Sequence, residues 1–275
     1  MKLALVGSDS SHTNKFVARW GGRHELFLAE ATRPPGELTA DADVASAITV
    51  VDSVADLVGR VDGAVVGHRR ATQHRAAAVP LLEAGIPVFV DKPLAATMGD
   101  AEAILDAASR GGVPVASWSA LRWSSVATVA GRMGLTELRL EGPADPESEF
   151  GGIGFYGVHL ADLAVALLGG PVQTVAVRFD GDDVVADVTI NGVTATLVMS
   201  HPSVAHGFRL IGQGAGGAIH RPIELMSDYM YPVADIAQEL FATKVWLQSR
   251  SELLDVVSIT EAMDKAVQAR GGTTR

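Results

Sequence analysis

The stretch "VDGAVVGHRRATQHRAAAVPLLEAGIPVFVDKPLA", residues 61 to 95, contains two short apolar runs with a longer helical segment between them. The runs "GAVV" and "PVFV" have the length and the valine content of buried strands, while "HRAAAVPLLEAG" is long enough to form a helix. A strand, a helix and a second strand in this order form a βαβ unit, in which the two strands lie parallel. This stretch therefore predicts a parallel sheet with helices packed on its faces.

The same alternation extends outward in both directions, from residue 1 to about residue 120. Further strands are predicted at "KLALVG", "ELFLAEAT" and "VPVASW". Further helices are predicted from about His12, near "VADLV", and from about Met98 to Ser109. Residues 1–120 are therefore expected to form a Rossmann-like domain, a doubly wound parallel sheet suited to binding a dinucleotide.

The pattern changes after about Glu137, where strands follow one another with few helices between them. The predicted strands are "ELRLEG", "TVAVRFDG", "VVADVTIN", "VTATLVMSHP" and "FRLIGQG". The turns "FDGDD" and "ING" suit connections between antiparallel neighbours. Residues 121–275 are expected to form an α+β domain with an open, mostly antiparallel sheet, covered on one face by helices at about residues 158–168 and 251–269.

Composition excludes several classes of partner and site. The net charge of −10 argues against a nucleic acid or an anionic membrane as partner, because either favours a basic surface. The chain has no cysteine, so it has no disulfide, no thiolate nucleophile and no cysteine zinc site. His201, His206 and His220 lack zinc-ligand spacing, and no metal site is expected. Its apolar runs are too short for a signal peptide or a membrane span, so we expect a soluble, cytoplasmic protein.

The turn after the first predicted strand is "GSDSSHTN", from Gly7. Its residues suit either a pyrophosphate-binding turn or an ordinary helix cap. Backbone N–H groups at a helix start can hold a pyrophosphate, but small hydroxyl residues there also cap ordinary helices. Asp9 would repel a phosphate unless its carboxylate turns towards backbone N–H groups. We expect Asp9 to cap the helix. Whether the turn still binds a dinucleotide is left open by these residues alone.

Lys92 lies at the end of the predicted strand "PVFV" and directly before a proline. A residue before proline is disfavoured in a helix, so the lysine is expected to project over the crevice where α/β sheets bind ligands. In that position its ammonium could polarise a substrate oxygen or transfer a proton. The alternative is an ordinary surface lysine at a strand end.

Several motifs together resemble the glucose-fructose oxidoreductase, inositol dehydrogenase and MocA (Gfo/Idh/MocA) family. They are "DGAVVGH", a histidine near the next helix start, "LLEAGIPVFV" with "DKPLA", the segment "SALRW", and "GGIGFYGVHLADLAVALLG". The first three match the family's cofactor domain, with Asp91 in place of its usual glutamate. The last is similar to the family's second signature. The resemblance runs in order along nearly the whole chain.

The resemblance implies roles for individual residues. Lys92 matches the lysine that touches both the nicotinamide and the reacting hydroxyl, and His159 matches an acid/base or substrate-binding histidine. Asp162 lies one helical turn later, where its carboxylate is expected to orient the imidazole. Phe155 stands where the family usually has an acidic residue, and Tyr156 could supply a hydroxyl in its place. The catalytic candidates are therefore Lys92, His159, Tyr156 and Asp162.

The resemblance also implies NAD or NADP as cofactor. Glu30 would bind the adenosine ribose of NAD, whereas Arg33 would accommodate the 2′-phosphate of NADP, and the sequence does not choose between them. The candidate cofactor-binding residues are Gly7, Ser8, Asp9, Ser10, Ser11, His12, Glu30, Arg33, Gly67, His68, His74, Asp91, Lys92 and Arg122.

Two functions follow from these patterns. The first is an NAD(P)-dependent oxidoreductase that transfers a hydride between the nicotinamide and a carbinol or carbonyl carbon of a sugar, a cyclitol or a secondary metabolite. The second is a protein of the same fold without net redox activity, such as a lyase, an isomerase, a cyclase or a binding protein. The lost glycines, Asp9 and Phe155 favour it. In both cases the partner is a small molecule. The C-terminal sheet, with helices on only one face, predicts a homodimer or homotetramer.

Overall fold

The computed structural model describes residues 1–273, which form two compact units. The first unit comprises Met1–Ala95, Gly99–Ser117 and Asp228–Ser249, and the second comprises most of the remaining chain. The sequence analysis divides the chain once, near residue 120. In the structure, residues 228–249 instead return to the first unit.

Twelve strands and nine α-helices make up the described part of the chain. The strands are β1 (Lys2–Val6), β2 (Glu25–Ala29), β3 (Thr49–Val51), β4 (Gly63–Val66), β5 (Val88–Val90), β6 (Val115–Ala116), β7 (Leu135–Pro143), β8 (Val172–Asp180), β9 (Asp183–Ile190), β10 (Val193–Ser200), β11 (Phe208–Gly214) and β12 (Gly217–Ile223). The helices are α1 (Ser11–Trp20), α2 (Pro35–Leu38), α3 (Ala42–Ala47), α4 (His74–Glu83), α5 (Met98–Gly111), α6 (Ser125–Ala130), α7 (Gly154–Leu168), α8 (Tyr231–Thr243) and α9 (Arg250–Thr273).

The first unit contains a six-stranded, all-parallel sheet in the order β3-β2-β1-β4-β5-β6. The central strands are almost continuously apolar and buried, as expected for a sheet covered on both faces. The strand order reverses between β1 and β4, and the crevice for a dinucleotide lies at such a switch point. The predicted Rossmann-like sheet is confirmed.

One predicted helix of the first unit is wrong in type. The "VADLV" segment forms a single 3₁₀ turn, Val54–Leu57, and not an α-helix. Ser53 and Asp56 form a capping box around this turn, and the chain leaves it again at Val58. Helix α3 and the short edge strand β3 lie just before it and escape the sequence analysis.

The second unit contains a six-stranded sheet in the order β12-β11-β7-β10-β9-β8. All neighbours are antiparallel except β7 and β10, which pair in parallel. Helices α7 and α9 pack on one face of this sheet, and their apolar side chains form its core with the inward residues of the strands. The mostly antiparallel second sheet is confirmed, with β12 as a sixth strand.

Among residues 1–273, every helix is too short or too polar to cross a membrane.

Candidate active site

The turn after β1 is built around Gly7 and Ser8. Gly7 has a φ of +81°, a conformation that residues with a side chain rarely adopt. Ser8 is completely buried, and its hydroxyl accepts the backbone N–H groups of Thr32 at 2.9 Å and Arg33 at 2.7 Å. Ser8 therefore fastens the turn after β1 to the loop after β2, and its side chain does not face a ligand.

Ser10, and not Asp9, caps helix α1. The Ser10 hydroxyl accepts the backbone N–H of His12 at 3.2 Å, as an N-cap serine does. The backbone N–H groups of Ser10 and Ser11 have no acceptor within residues 1–273. The helix start thus keeps the open donors that an anionic ligand needs.

The expectation that Asp9 caps the helix is wrong. One oxygen of its carboxylate, Oδ2, accepts the backbone N–H of Arg69 at 3.1 Å, in the loop after β4. The other, Oδ1, is buried, and the described part of the chain offers it no hydrogen-bond partner. Asp9 is therefore turned towards a backbone N–H group as expected, but that group belongs to a different loop.

Glu30 and Arg33 have separate roles at the end of β2. Glu30 directly follows the strand, and its Oε2 lies 3.0 Å from Nε2 of His68. The Arg33 guanidinium donates to the Ser8 and Ser10 carbonyl oxygens and, at 2.9 Å, to Oδ1 of Asn14. Arg33 thus secures the turn after β1, while Glu30 occupies the strand-end position.

The half-buried His12 meets the buried Asp91 and Lys92 at the end of β5. His12 Nδ1 lies 2.8 Å from Oδ2 of Asp91, and the Lys92 backbone N–H donates to Oδ1 at 3.0 Å. Burial alone would raise the pKa of Asp91, but the charge and hydrogen bond of His12, with Lys92 nearby, hold it well below its usual range. Asp91 is therefore an ionised anchor for both neighbours.

Lys92 is itself a buried ammonium, with only 8% of its surface exposed. Burial lowers the pKa of Lys92, Asp91 opposes this shift, and the nearby Arg69 adds to it. A lysine with a lowered pKa gives up its proton more readily than an exposed lysine does, which favours a role as a general acid or base. The structure thus places at this strand end a lysine suited to proton transfer.

His74 supports the loops around this cluster. It is completely buried; its Nε2 lies 2.8 Å from the carbonyl oxygen of His68 and its Nδ1 lies 2.9 Å from that of Pro93. Burial lowers the pKa of His74. Because both ring nitrogens contact backbone carbonyl oxygens, His74 joins the loops after β4 and β5 and does not line the crevice.

Gly67 follows β4 directly. A Cβ at this position would lie 3.3 Å from Thr13 Oγ1, so the strand end packs closely against helix α1.

In the second unit, Ser119 is the partner of His159. The Ser119 hydroxyl lies 2.7 Å from His159 Nδ1, and both residues are buried. The Ser119 hydroxyl also accepts the backbone N–H of Leu121, which fixes its position. The bond to Ser119 occupies Nδ1 and fixes the orientation of the imidazole.

The prediction that Asp162 orients His159 is wrong. Asp162 instead binds Arg122 through two hydrogen bonds of 2.7 Å and accepts the backbone N–H of Ser119. Arg122 also pairs with Glu252 at 2.6 Å. Although burial works against it, Asp162 raises the pKa of Arg122, so the guanidinium stays charged. The Arg122 guanidinium is thus held by Asp162 and Glu252. Asp162 influences the position of His159 through its hydrogen bond with the Ser119 backbone.

The first turns of α7 carry the aromatic residues of the predicted site. Phe155 is buried against Phe150, with ring centroids 5.3 Å apart, while Tyr156 is partly exposed and lies 5.8 Å from the His159 ring. Asp264 of α9 accepts the Gly154 backbone N–H at 3.1 Å, and burial raises the pKa of Asp264 to about 6. Asp264 therefore holds the helix start that presents these residues.

A dinucleotide fits the first unit with one departure. The positive φ of Gly7, the open N–H groups of Ser10 and Ser11, and the carboxylate of Glu30 after β2 suit a pyrophosphate and an adenosine ribose. The departure is Asp9, whose negative charge stands in the same turn. No local spacing indicates the roles of Ser119, Glu252 and Asp264, because their partners lie far away in the chain.

Comparison with known proteins supports this assignment. The model of the GFO_IDH_MocA family, described as "Oxidoreductase family, NAD-binding Rossmann fold", matches residues 1–117. Myo-inositol dehydrogenase Hyg17 of Streptomyces leeuwenhoekii is 35% identical over 126 residues, which are 42% of this chain. The aligned part spans only 37% of that relative.

Solved structures share the fold over the whole chain. A Gfo/Idh/MocA family oxidoreductase from Vibrio cholerae superposes with a TM-score of 0.76 at 16% identity, covering 100% of both chains. GenD2 from gentamicin A biosynthesis, solved in complex with NAD, gives a TM-score of 0.77 at 15% identity and covers 98% of this chain and 94% of its own. Residues 1–117 thus match the NAD-binding Rossmann domain of the Gfo/Idh/MocA oxidoreductase family, and the whole chain shares the fold of the solved structures.

Proposed function

We propose that the protein is an NAD-dependent oxidoreductase that acts on a secondary hydroxyl or ketone of a polyhydroxylated ring, such as a sugar or a cyclitol. The observation that carries the proposal is Lys92, a buried lysine with a lowered pKa at the end of β5 in a Rossmann fold. A stretch of 126 residues is 35% identical to a myo-inositol dehydrogenase, and this similarity supports a cyclitol or a sugar as the substrate.

The chain's own residues have distinct roles in this proposal. Lys92 binds the substrate oxygen and stabilises the negative charge that develops on it. In the second unit, His159 is the residue suited to proton exchange, and Ser119 holds its Nδ1. When bound, the nicotinamide accepts or donates the hydride. Tyr156 is a candidate to bind a further hydroxyl of the substrate, in place of the acidic residue that Phe155 replaces.

NAD is favoured over NADP by the residues after β2. Glu30 stands at the strand end, where a carboxylate can accept the ribose hydroxyls and repels a 2′-phosphate. Arg33, the residue that could bind a 2′-phosphate, already donates to the turn after β1 and to Asn14. We therefore expect the Kd for NADH to be lower than the Kd for NADPH.

Two measurements test the proposal in sequence. Fluorescence titration with NADH and NADPH measures cofactor binding, and absorbance at 340 nm over a panel of cyclitols, sugars and their ketones then measures turnover. We expect NADH binding and turnover of at least one polyol, with myo-inositol as the first candidate. Cofactor binding without turnover across a broad panel would contradict the redox activity.

A variant of Lys92 tests its role once a substrate is found. Lys92→Met keeps most of the apolar length of the side chain and removes the ammonium. We expect kcat/KM to fall by about 10²–10⁴-fold, the contribution of one positioned acid/base group. NADH affinity and melting temperature should change little. Retained turnover in this variant would remove Lys92 from the reaction.

A second candidate function is favoured by Asp9. A carboxylate oxygen that is buried without a partner, in the turn that should receive a pyrophosphate, suits a protein that has lost its dinucleotide. Such a protein would use the same fold for a non-redox reaction or for binding. Absence of NADH and NADPH binding at sub-millimolar concentration would favour this second function.

A further inference from the structure

The His68–Glu30 pair joins two loops across the end of β1. His68 follows β4 and Glu30 follows β2, and these two strands flank β1 in the sheet. The distance from His68 Nε2 to Glu30 Oε2 is 3.0 Å. The pair therefore crosses above Gly7, at the switch point where the adenosine half of a dinucleotide would lie.

His68 lies beneath Glu30 and not in the open crevice. The His68 side chain is 5% exposed, whereas that of Glu30 is 36% exposed. The imidazole packs directly on Gly7, where an added Cβ would come within 2.7 Å of Cδ2. Glycine at position 7 is therefore required by the histidine as well as by its own backbone conformation. A ring that blocked the crevice would face solvent, so the burial of His68 indicates a supporting role.

The hydrogen-bond pattern defines the direction of the bond within the pair. An ionised carboxylate can only accept, so His68 Nε2 must donate to Glu30. His68 Nδ1 is buried and has no partner in the described part of the chain. The contact with Glu30 is therefore the hydrogen bond that the His68 side chain makes within residues 1–273.

The backbone of His68 is fixed as well. Its carbonyl oxygen lies 2.8 Å from Nε2 of the buried His74. The histidine thus has little freedom to move, and the Glu30 carboxylate is held through Oε2. The other oxygen, Oε1, has no partner among residues 1–273, on a side chain that is partly exposed. This oxygen is the one left to bind a ligand hydroxyl.

We propose that His68 is a positioning residue that holds Glu30 for the adenosine ribose and so sets the preference for NAD over NADP. The buried ring orients the carboxylate through Oε2. Oε1 then accepts a ribose hydroxyl, and the carboxylate repels a 2′-phosphate. This inference rests on the proposed function, because it assigns to Glu30 the ribose of a bound NAD.

Two variants of similar size isolate the hydrogen bond. His68→Leu fills the space above Gly7 without a donor, and His68→Gln keeps a neutral N–H donor. We expect His68→Leu to weaken NADH binding about tenfold, equivalent to about 1.4 kcal/mol, with the Kd for NADPH nearly unchanged. His68→Gln should restore most of the NADH preference. In a Glu30→Gln background, His68→Leu should have no further effect.

The readout is the ratio of the Kd values for NADH and NADPH, measured by fluorescence titration with circular dichroism as a check on folding. If His68→Leu does not fold, His68→Met supplies a more flexible apolar side chain for the same comparison. An unchanged ratio in the apolar variant would overturn the proposal, and so would tighter NADH binding, which would show that the ring obstructs the ribose. If the unmodified protein binds neither nucleotide, the proposed function itself fails. If it prefers NADH and the ratio survives the loss of the donor, only the role of His68 fails.

Discussion

Asp9 is the residue that departs most from a standard dinucleotide turn. Its Cβ and its charge stand where a glycine would let the backbone approach a pyrophosphate. The structure gives one carboxylate oxygen a backbone partner, Arg69 N–H, and leaves the other buried without one. A buried carboxylate oxygen without a hydrogen-bond partner destabilises the protein. The negative charge of Asp9 would also repel a phosphate bound in the same turn.

We therefore expect Asp9→Gly to bind NADH more tightly, by severalfold, because the change removes a like charge and a Cβ from the phosphate turn. Loss of the bond from Arg69 costs about 1 kcal/mol of unfolding free energy, but removal of the buried, unpaired oxygen offsets this cost, so stability should change little. Fluorescence titration and thermal unfolding measure the two effects. Asp41→Gly is the matched control, because it makes the same substitution at the N-cap of α3. Equal NADH affinity in Asp9→Gly and the unmodified protein would contradict the expectation.

Single residues also show where local sequence reasoning reaches its limit. The strand-end positions of Glu30 and Lys92 follow from local patterns, because an apolar strand and its end can be read from neighbouring residues. The partner of His159, in contrast, cannot be predicted from neighbouring residues. Spacing along α7 brings Asp162 near the imidazole, but a buried carboxylate binds the nearest arginine more strongly, and Arg122 comes from a distant segment.

At the scale of elements, helix α8 depends on a glycine in β4. A Cβ on Gly63 would come within 2.2 Å of Cγ of Phe241 in α8, so the helix packs directly on the strand backbone. The Trp20 ring of α1 lies against Phe241 as well, with centroids 6.3 Å apart. The glycine is thus what permits α8 to pack on this sheet.

Gly63→Ala should therefore lower the unfolding free energy by about 1–3 kcal/mol, the usual cost of overpacking a core. Chemical denaturation followed by circular dichroism measures this loss. Gly36→Ala is the control, because no atom lies within 4 Å of a Cβ added there. A Gly63→Ala variant as stable as this control would show that α8 is loosely packed.

The start of α7 should respond to pH through Asp264. Burial raises the pKa of Asp264 to about 6, above the unfolded value of 3.8, so the folded state holds the extra proton between these values. The unfolding free energy contributed by this group is then highest below about pH 4 and falls as the pH rises towards 6. Ionised Asp264 thus destabilises the protein at neutral pH.

Asp264→Asn keeps an acceptor for the Gly154 N–H and removes the charge. We expect the variant to be more stable than the unmodified protein at pH 8, by of order 1 kcal/mol, and the difference to vanish near pH 4. Thermal unfolding across this range is the measurement, with Asp182→Asn in an exposed hairpin as the control. Lower stability of Asp264→Asn at pH 8 would show that the carboxylate's attraction to the helix start outweighs its burial.

Most elements of both sheets could be predicted from the sequence, and the exceptions have physical causes. Strands β1, β4 and β5 are buried on both faces, so their apolar runs are clear. Strand β12 escapes prediction because it is an edge strand that contains Pro222 and begins with glycine. Helix α8 escapes because its aromatic and proline-containing start resembles a loop.

At the scale of the whole molecule, the outer face of the second sheet is polar. Arg139 pairs with Glu141 at 2.7 Å and Arg178 with Asp187 at 3.2 Å, while Thr196 donates to Asp187 at 2.8 Å. Helices α7 and α9 cover the opposite face. If copies of the chain pair through the uncovered face, their interface is therefore hydrogen-bonded more than apolar.

We still expect self-association through this face, as a homodimer or homotetramer at micromolar concentration. Ala176 is exposed on β8 and points away from the apolar residues Val175 and Val177 that pack on the core. Ala176→Lys adds a long charged side chain at this position, opposite Asp187 in the sheet, and should weaken the assembly without lowering the melting temperature. Light scattering measures the mass. A monomer at micromolar concentration would contradict the expectation.

The return of residues 228–249 to the first unit has a consequence for synthesis of the protein. A ribosome completes all six strands of the parallel sheet by Ala116, yet α8, which packs on β4 and on α1, is made more than a hundred residues later. Until then, Trp20 and the face of β4 around Gly63 lack the helix that buries them. The apolar surface of the nascent Rossmann sheet therefore stays exposed until α8 has been synthesised. We expect a chaperone to bind the chain during this interval.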